Sequence, residues 1–294
     1  MNGLIFYLIL PFIYLISLLP FWLMYRVSDL VFVVLYHGLS YRKEVVVTNL
    51  RNSFPEKSEQ EIQAIAKRFF RYFCDLILEA IKTLTISPRQ VKKHLTFKGH
   101  EILEHYYEKK QSVILVLGHF GNWELTGARL AVEPFHQLYI IYRPLKNKYF
   151  DQLAYHMRTR LGNRLYSMKE TTKGMVDNSN DVTATAFIAD QTPSPKKALW
   201  LDFLQQDTPV FLGTERLARK FNYPVIYMSS KRPKRGHYNI ELELLFDNPV
   251  DTAENEITLA HTKRLEKDIK EQPEIWLWTH RRWKHKRPQP QNDQ

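Results

Sequence analysis

The chain has 294 residues and a single cysteine, Cys74, which excludes an internal disulfide framework and any cysteine-based zinc site. Forty-two Lys and Arg against 31 Asp and Glu give a formal charge of +11, favouring an anionic partner such as acidic phospholipid or nucleic acid. No Gly-x-Ser-x-Gly elbow, Walker loop, dinucleotide fingerprint or His-Glu-x-x-His helix occurs, so neither cofactor nor metal is expected.

Met1 to Tyr25 carries no charged side chain and is rich in Leu, Ile and Phe, long enough to cross about 30 Å of hydrocarbon as a helix. Pro11 and Pro20 interrupt it, so a kinked span and a partly interfacial helix pair both fit. The run Leu30–Leu39 is too short to span. The first basic side chains, Arg26, Arg42 and Lys43, follow the apolar segment, which places the bulk of the protein on the cytoplasmic side of a membrane. The expected organisation is an anchor over 1–41, one α/β domain over 42–287, and a disordered tail over 288–294. A buried helix of a soluble protein is the alternative reading of the anchor.

Ser58 and Glu61 form a capping box that opens a helix running to about Thr83. Cys74 on that helix reads as a buried structural thiol, and Asp75 and Glu79, one turn apart, as solvated or ion-paired carboxylates. A helix over Glu101–Lys110 feeds a strand at Val113–Leu117, and a helix to Val132 follows it. Then come a strand at Leu138–Tyr142 and a helix over Asn147–Leu161. Thr183–Ala189 reads as a buried strand, Leu199–Leu201 as a short one and Gly213–Phe221 as a helix. Val225–Ser229 and Tyr238–Phe246 are strands flanking the basic turn Lys231, Arg232, Lys234, Arg235, and Glu254–Gln272 is a long charged helix. Strands alternating with helices predict a mixed, largely parallel sheet flanked by helices, with its chemistry at strand ends.

His119, Arg143 and Asp190 all fall at such ends. His119 follows Gly118 at the end of an apolar run, and Glu124 stands five residues on, entering a helical pattern. A histidine acts as a base through one ring nitrogen when the other is oriented by a partner, and Glu124 is placed to supply it. A loop histidine making ordinary hydrogen bonds is the alternative. Gly118 and Gly121 would let the backbone approach a substrate closely.

The segment Gly118-His119-Phe120-Gly121-Asn122-Trp123-Glu124 resembles the signature block of the bacterial lipid A late acyltransferases, the lauroyl and myristoyl transferases with a His-x4-Asp/Glu dyad. Further matches follow in the family's order: Tyr142-Arg143-Pro144, Asp190-Gln191, Phe211-Leu212-Gly213-Thr214, and a final block from Gln272 to Lys284. The resemblance implies a glycerolipid-acyltransferase-like fold with a membrane anchor at the bacterial inner membrane. It implies transfer of a fatty acyl group from acyl carrier protein, or from acyl-CoA, to a hydroxyl of an anionic glycolipid, a lipid A precursor. His119 and Glu124 would form the dyad, with Arg143 stabilising the oxyanion; the alternative for Arg143 is an arginine gripping a phosphate. Asn122, Asp190, Gln191, Phe211, Gly213, Arg281 and Arg282 are expected around the substrate, and Phe203, Leu204, Val210 and Leu212 beside an acyl pocket. The membrane bilayer is an expected partner and nucleic acid is not. Related enzymes with similar sites acylate other lipids, and a non-catalytic basic protein binding lipid or nucleic acid is the remoter alternative.

Overall fold

A computed structural model of the chain describes residues 3–288, so the expected tail from residue 289 onward lies outside the described residues. The strands are β1 (Leu95–Lys98), β2 (Val113–Leu117), β3 (Gln137–Tyr142), β4 (Arg164–Ser167), β5 (Thr183–Ile188), β6 (Leu199–Phe203), β7 (Gln206–Val210), β8 (Val225–Lys234) and β9 (His237–Phe246). Seven of them form one sheet in the order β1-β9-β8-β2-β5-β3-β4, and β6 and β7 make a separate antiparallel hairpin. Neighbours in the large sheet run parallel except β8 and β9, so the sheet is mixed and mostly parallel.

Strand β2 lies at the centre because its sequence suits burial on both faces. All of Val113–Leu117 is buried; Ile114 and Val116 join one apolar cluster, Val113, Leu115 and Leu117 the other. A parallel strand covered on both sides reads as a continuous apolar run for this reason. The helices are α1 (Gly3–Leu18), α2 (Phe21–Val33), α3 (Lys43–Ser53), α4 (Glu59–Lys82), α5 (Pro88–His94), α6 (His100–Glu108), α7 (Trp123–Ala131), α8 (Lys148–Thr159), α9 (Thr171–Asp177), α10 (Gly213–Phe221) and α11 (Glu256–Glu271). Helix α4 opens at the capping box, with Ser58 accepting from Glu61 N and the Glu61 carboxylate accepting from Ser58 N. It buries Ile62, Ile65, Phe69, Tyr72 and Leu76, one helical stripe. Cys74 is buried among them, and burial pushes its thiol up to about 12, as an unreactive structural thiol should behave.

Of the two readings of the apolar start, the described residues show the helix pair and not a single span. Pro20 separates α1 from α2, and α1, at 16 residues, reaches about 24 Å against the roughly 30 Å of a hydrocarbon core. Among the described residues no helix is long and apolar enough to cross a membrane. The pair folds onto the domain instead. Lys82 donates to Ser17 O and Leu19 O, satisfying carbonyls at the end of α1, and Phe6 stacks on Tyr149 of α8. The opposite side of the pair leaves Leu4, Leu8, Phe12, Leu15, Leu18, Trp22 and Leu30 in the open.

Asp75 and Glu79 are buried, which solvated side chains would not be, and they bind α2 and the β8–β9 turn to α4. Asp75 accepts from Ser28, Arg232 and Arg235, while Glu79 accepts from Tyr25, Tyr238 and Asn122. Burial raises the Glu79 carboxyl above its usual range, with Arg232 acting in the opposite direction. Removing an acceptor that serves three buried donors strands them all. Glu79→Ala should cost about 3–5 kcal/mol and Glu79→Gln about 1–3 kcal/mol, measured as a shift in urea midpoint at constant slope. An Ala variant as stable as the parent would remove the network from any account of stability.

Candidate active site

The register of the sheet brings the site together. Leu117 of β2 pairs with Ile188 of β5, and both strands run the same way, so two residues further on His119 stands against Asp190. Asp190 Oδ1 accepts from His119 Nδ1 at 2.6 Å; Oδ2 accepts from His119 N at 2.8 Å and from Trp276 Nε1 at 2.7 Å. Burial alone would raise this carboxyl, but the His119 ring and the three donors outweigh it and bring it down to about 2. With the Nδ1 proton donated to Asp190, Nε2 is left as an acceptor toward the open side, where the Gln191 amide lies 3.2 Å away.

The loop carrying His119 is clamped from behind. Leu277 N donates to His119 O at 3.1 Å, Gly121 N to Ile275 O at 2.9 Å, and Tyr72 Oη to Gly121 O. Gly121 has φ +61°, and a Cβ there would lie 1.8 Å from Ser230 O, so only glycine fits. The close approach expected at Gly118 and Gly121 is thus to Leu265 and Ser230 of the protein itself, not to a substrate. Trp123 packs edge-on against the His119 ring, with centroids 4.8 Å apart. Asn122 is fully buried: its Oδ1 caps α7 by accepting from Leu125 N, and its Nδ2 donates to Glu79. That leaves it no free polar group for a substrate.

Glu124 is not the partner of His119. It is the second residue of α7 and takes Arg158 of α8 in a forked pair, with Nε at 3.0 Å and Nη2 at 2.5 Å. Arg158 and His119 both face one cleft of about 720 Å3, walled by Ile141, Leu145, Phe187, Phe211 and Leu217. Arg143, Gln191 and Gly213 line it too, as expected, together with Lys146 and Arg216. Among the described residues these three cations, Arg143, Lys146 and Arg216, enter no ion pair.

Other expected residues lie elsewhere. Arg281 is exposed away from the cleft, whereas Arg282 is buried, donating to Pro209 O at 2.7 Å, and burial lowers it to about 10. Phe203, Leu204 and Val210 belong to the core and Leu212, half-buried, does not line the cleft, leaving Phe211 as the member of that apolar set on the cleft wall. Among the described residues no cluster of three or more His, Cys, Asp or Glu could hold a metal ion. Arg158 and Trp276 were not foreseen. Arg158 carries no local signal beyond its place in the last turn of a helix, and Trp276 shows only as one aromatic of the Gln272–Lys284 block, with nothing there to single it out.

A histidine paired at a strand end and opening on a large apolar-walled cleft with cationic edges has the geometry to serve as a general base, and the cleft has room for an apolar chain. The model of the bacterial lipid A biosynthesis acyltransferases matches residues 2–285. The chain belongs to that family. It is therefore an acyltransferase. It is 25% identical over 276 residues to a lipid A biosynthesis lauroyltransferase of Escherichia coli strain K12, covering 92% of this chain and 89% of that protein. The lipid A biosynthesis palmitoleoyltransferase of the same organism is 24% identical over 249 residues, or 84% of this chain and 80% of that protein. Its myristoyltransferase is 21% identical over 253 residues, covering 85% and 77%.

Trp276 acts on the histidine through Asp190, which makes it a positioning residue. Trp276→Phe keeps a ring against Trp278 but removes one donor to the carboxylate. The hydrogen bond is worth about 1.5–3 kcal/mol to the fold, and without it Asp190 holds the ring less firmly, so lost positioning should lower kcat by up to roughly 10-fold with KM nearly unchanged. Asp190 becomes more basic and favours the imidazolium, so the acidic limb of the kcat/KM profile should move to higher pH. A lower rate with an unmoved limb would mean only a loosened fold.

Proposed function

We propose that this protein moves a fatty acyl group from a thioester donor, acyl carrier protein in preference to acyl-CoA, onto a hydroxyl of a lipid A precursor, and that it works at the cytoplasmic surface of a bacterial inner membrane. The carrying observation is the His119 ring fixed by Asp190 with Nε2 open to the cleft. Supporting it are the family and the lipid A acyl transferases to which the chain is similar. The exposed apolar side of α1 and α2 supports a protein lying in the interface without spanning it.

In the proposed mechanism the acceptor hydroxyl takes the place of the Gln191 amide beside Nε2. His119 removes its proton as the oxygen bonds to the thioester carbon. The tetrahedral oxyanion then collapses, the carbon–sulfur bond breaks, and the leaving thiolate takes the proton from Nε2. Asp190 holds the ring in one tautomer and stabilises the transient imidazolium. Glu124 joins this scheme by way of Arg158. A cation locked by a forked carboxylate is preorganised, which supports Arg158 as the oxyanion stabiliser. Arg143 is exposed at the cleft mouth, which suits gripping an anionic group of the acceptor better than meeting a developing charge.

His119→Ala should lower turnover about 10²- to 10⁴-fold while the variant stays folded. Glu124→Gln should lower kcat more than it alters KM, and Arg143→Ala should raise KM for the acceptor more than it lowers kcat. The deciding measurement is mass spectrometry of lipid A from cells with and without the protein. Loss of one acyl unit, restored by the parent and not by His119→Ala, is expected. An unchanged lipid A with a change in another lipid would overturn the acceptor and keep the chemistry; near-normal turnover by purified His119→Ala would overturn the mechanism.

A further inference from the structure

Behind the loop that carries His119, on the side away from the cleft, α4, the β8–β9 turn and the segment before Trp276 enclose a groove of about 300 Å3. Five cations line it: Arg68, Arg71, Arg232, Lys234 and Arg235. Against them stand three acids, Asp29, Asp75 and Glu274. The acids are already engaged: Asp75 by Arg232 and Arg235, Asp29 by Arg235, and Glu274 by a long 3.9 Å contact with Arg68. Arg71 and Lys234 are exposed and, among the described residues, form no ion pair; the Arg71 guanidinium lies over the Phe32 ring. The groove therefore presents a net positive charge from side chains whose neighbours are held in place by buried pairs.

We propose that this groove binds the phosphate of an anionic membrane lipid headgroup. Two cations without partners beside fixed arginines suit a phosphate, which offers several acceptor oxygens to several donors. The lipid source follows from what flanks the groove. Asp29, on its rim, lies on α2 at i+7 from Trp22 and four residues before Val33, so the three share one stripe of the helix. Trp22 is 68% exposed and Val33 52% exposed, and the open apolar side of α1 continues beyond them. A protein or nucleic-acid ligand would leave these apolar residues unexplained, whereas a bilayer meets ring, chain and phosphate together. Tyr72 and Ile275 line the groove and each bonds Gly121, so a headgroup bound there sets the catalytic loop at a fixed height above the lipid surface. The inference rests on the membrane-surface reading above and not on the acyl transfer.

The test is vesicle co-sedimentation of the full chain with phosphatidylcholine vesicles alone and with vesicles containing phosphatidylglycerol, comparing the parent with an Arg71→Ala/Lys234→Ala double variant. Both positions are exposed, and circular dichroism checks folding of the variant. The parent should bind both vesicles and prefer the anionic ones. The double variant should keep its affinity for phosphatidylcholine and lose roughly 10- to 30-fold on phosphatidylglycerol, the scale of two basic side chains at an anionic surface. An equal preference in parent and variant overturns the groove while leaving membrane association in place; no binding of the parent to either vesicle overturns the membrane reading itself. Release of the parent by inorganic phosphate at constant ionic strength would make free phosphate the ligand. A variant that loses affinity for acidic acyl carrier protein, with vesicle binding unchanged, would reassign the groove to a protein partner.

Discussion

Asp190 joins three parts of the chain that are distant in sequence. Its two oxygens accept from the ring and the backbone of His119 after β2 and from the indole of Trp276 after α11, while Asp190 itself follows β5. A buried carboxylate is costly unless its lone pairs are filled, and filling them fixes the end of β2, the end of β5 and the C-terminal segment at once. The same contacts leave His119 Nε2 as the ring nitrogen on the cleft side, beside the Gln191 amide. Under the proposed function, filling the lone pairs of Asp190 and readying His119 are one arrangement.

A second buried carboxylate extends this order to the N-terminal helices. Glu79 holds Asn122, the cap of α7, together with Tyr25 of α2 and Tyr238 of β9. Asn122 is three residues past His119, so two hydrogen bonds to Glu79 connect Tyr25 of α2 with the loop that carries His119. Lys82, three residues beyond Glu79 on α4, caps the end of α1. One helix thereby ties the apolar surface to the chemistry, and this explains why α4 carries Asp75, Glu79 and Lys82 in an otherwise apolar environment.

Sequence patterning is strongest where a segment's own period decides its structure. The strand Val113–Leu117 and the helix Gly213–Phe221 stand at their expected bounds, and the capping box opens α4 where Ser58 predicts. The weak points are elements defined by partners. Strands β1 and β4 have four residues each and exist because β9 and β3 offer them an edge. The histidine's partner is a case of the same kind. Glu124 is near in sequence, but α7 turns it toward α8, and the residue that reaches the ring lies 71 positions away on the neighbouring strand. Strand order, which no local pattern encodes, makes that contact. At the apolar N-terminus hydropathy alone suggests a span, and Pro20 decides for the helix pair by dividing what hydropathy sums.

The net charge of +11 is not spread evenly. Acidic side chains at the points described are spent inside the molecule: Asp190 on His119, Glu124 on Arg158, Asp75 on Arg232 and Arg235. Each such pair removes a negative charge from the surface without adding a free positive one. Among the cations that enter no ion pair in the described residues, Arg143, Lys146 and Arg216 stand together at the cleft and Arg71 and Lys234 at the groove behind it. Both places adjoin apolar surface, the cleft wall in one case and the open side of α1 and α2 in the other. Under the proposed function the ligand at each place carries negative charge next to hydrocarbon, as phosphorylated lipids do and nucleic acids do not. The basic composition by itself fits both, and it is the placement of the charges by the fold that supports the lipid reading.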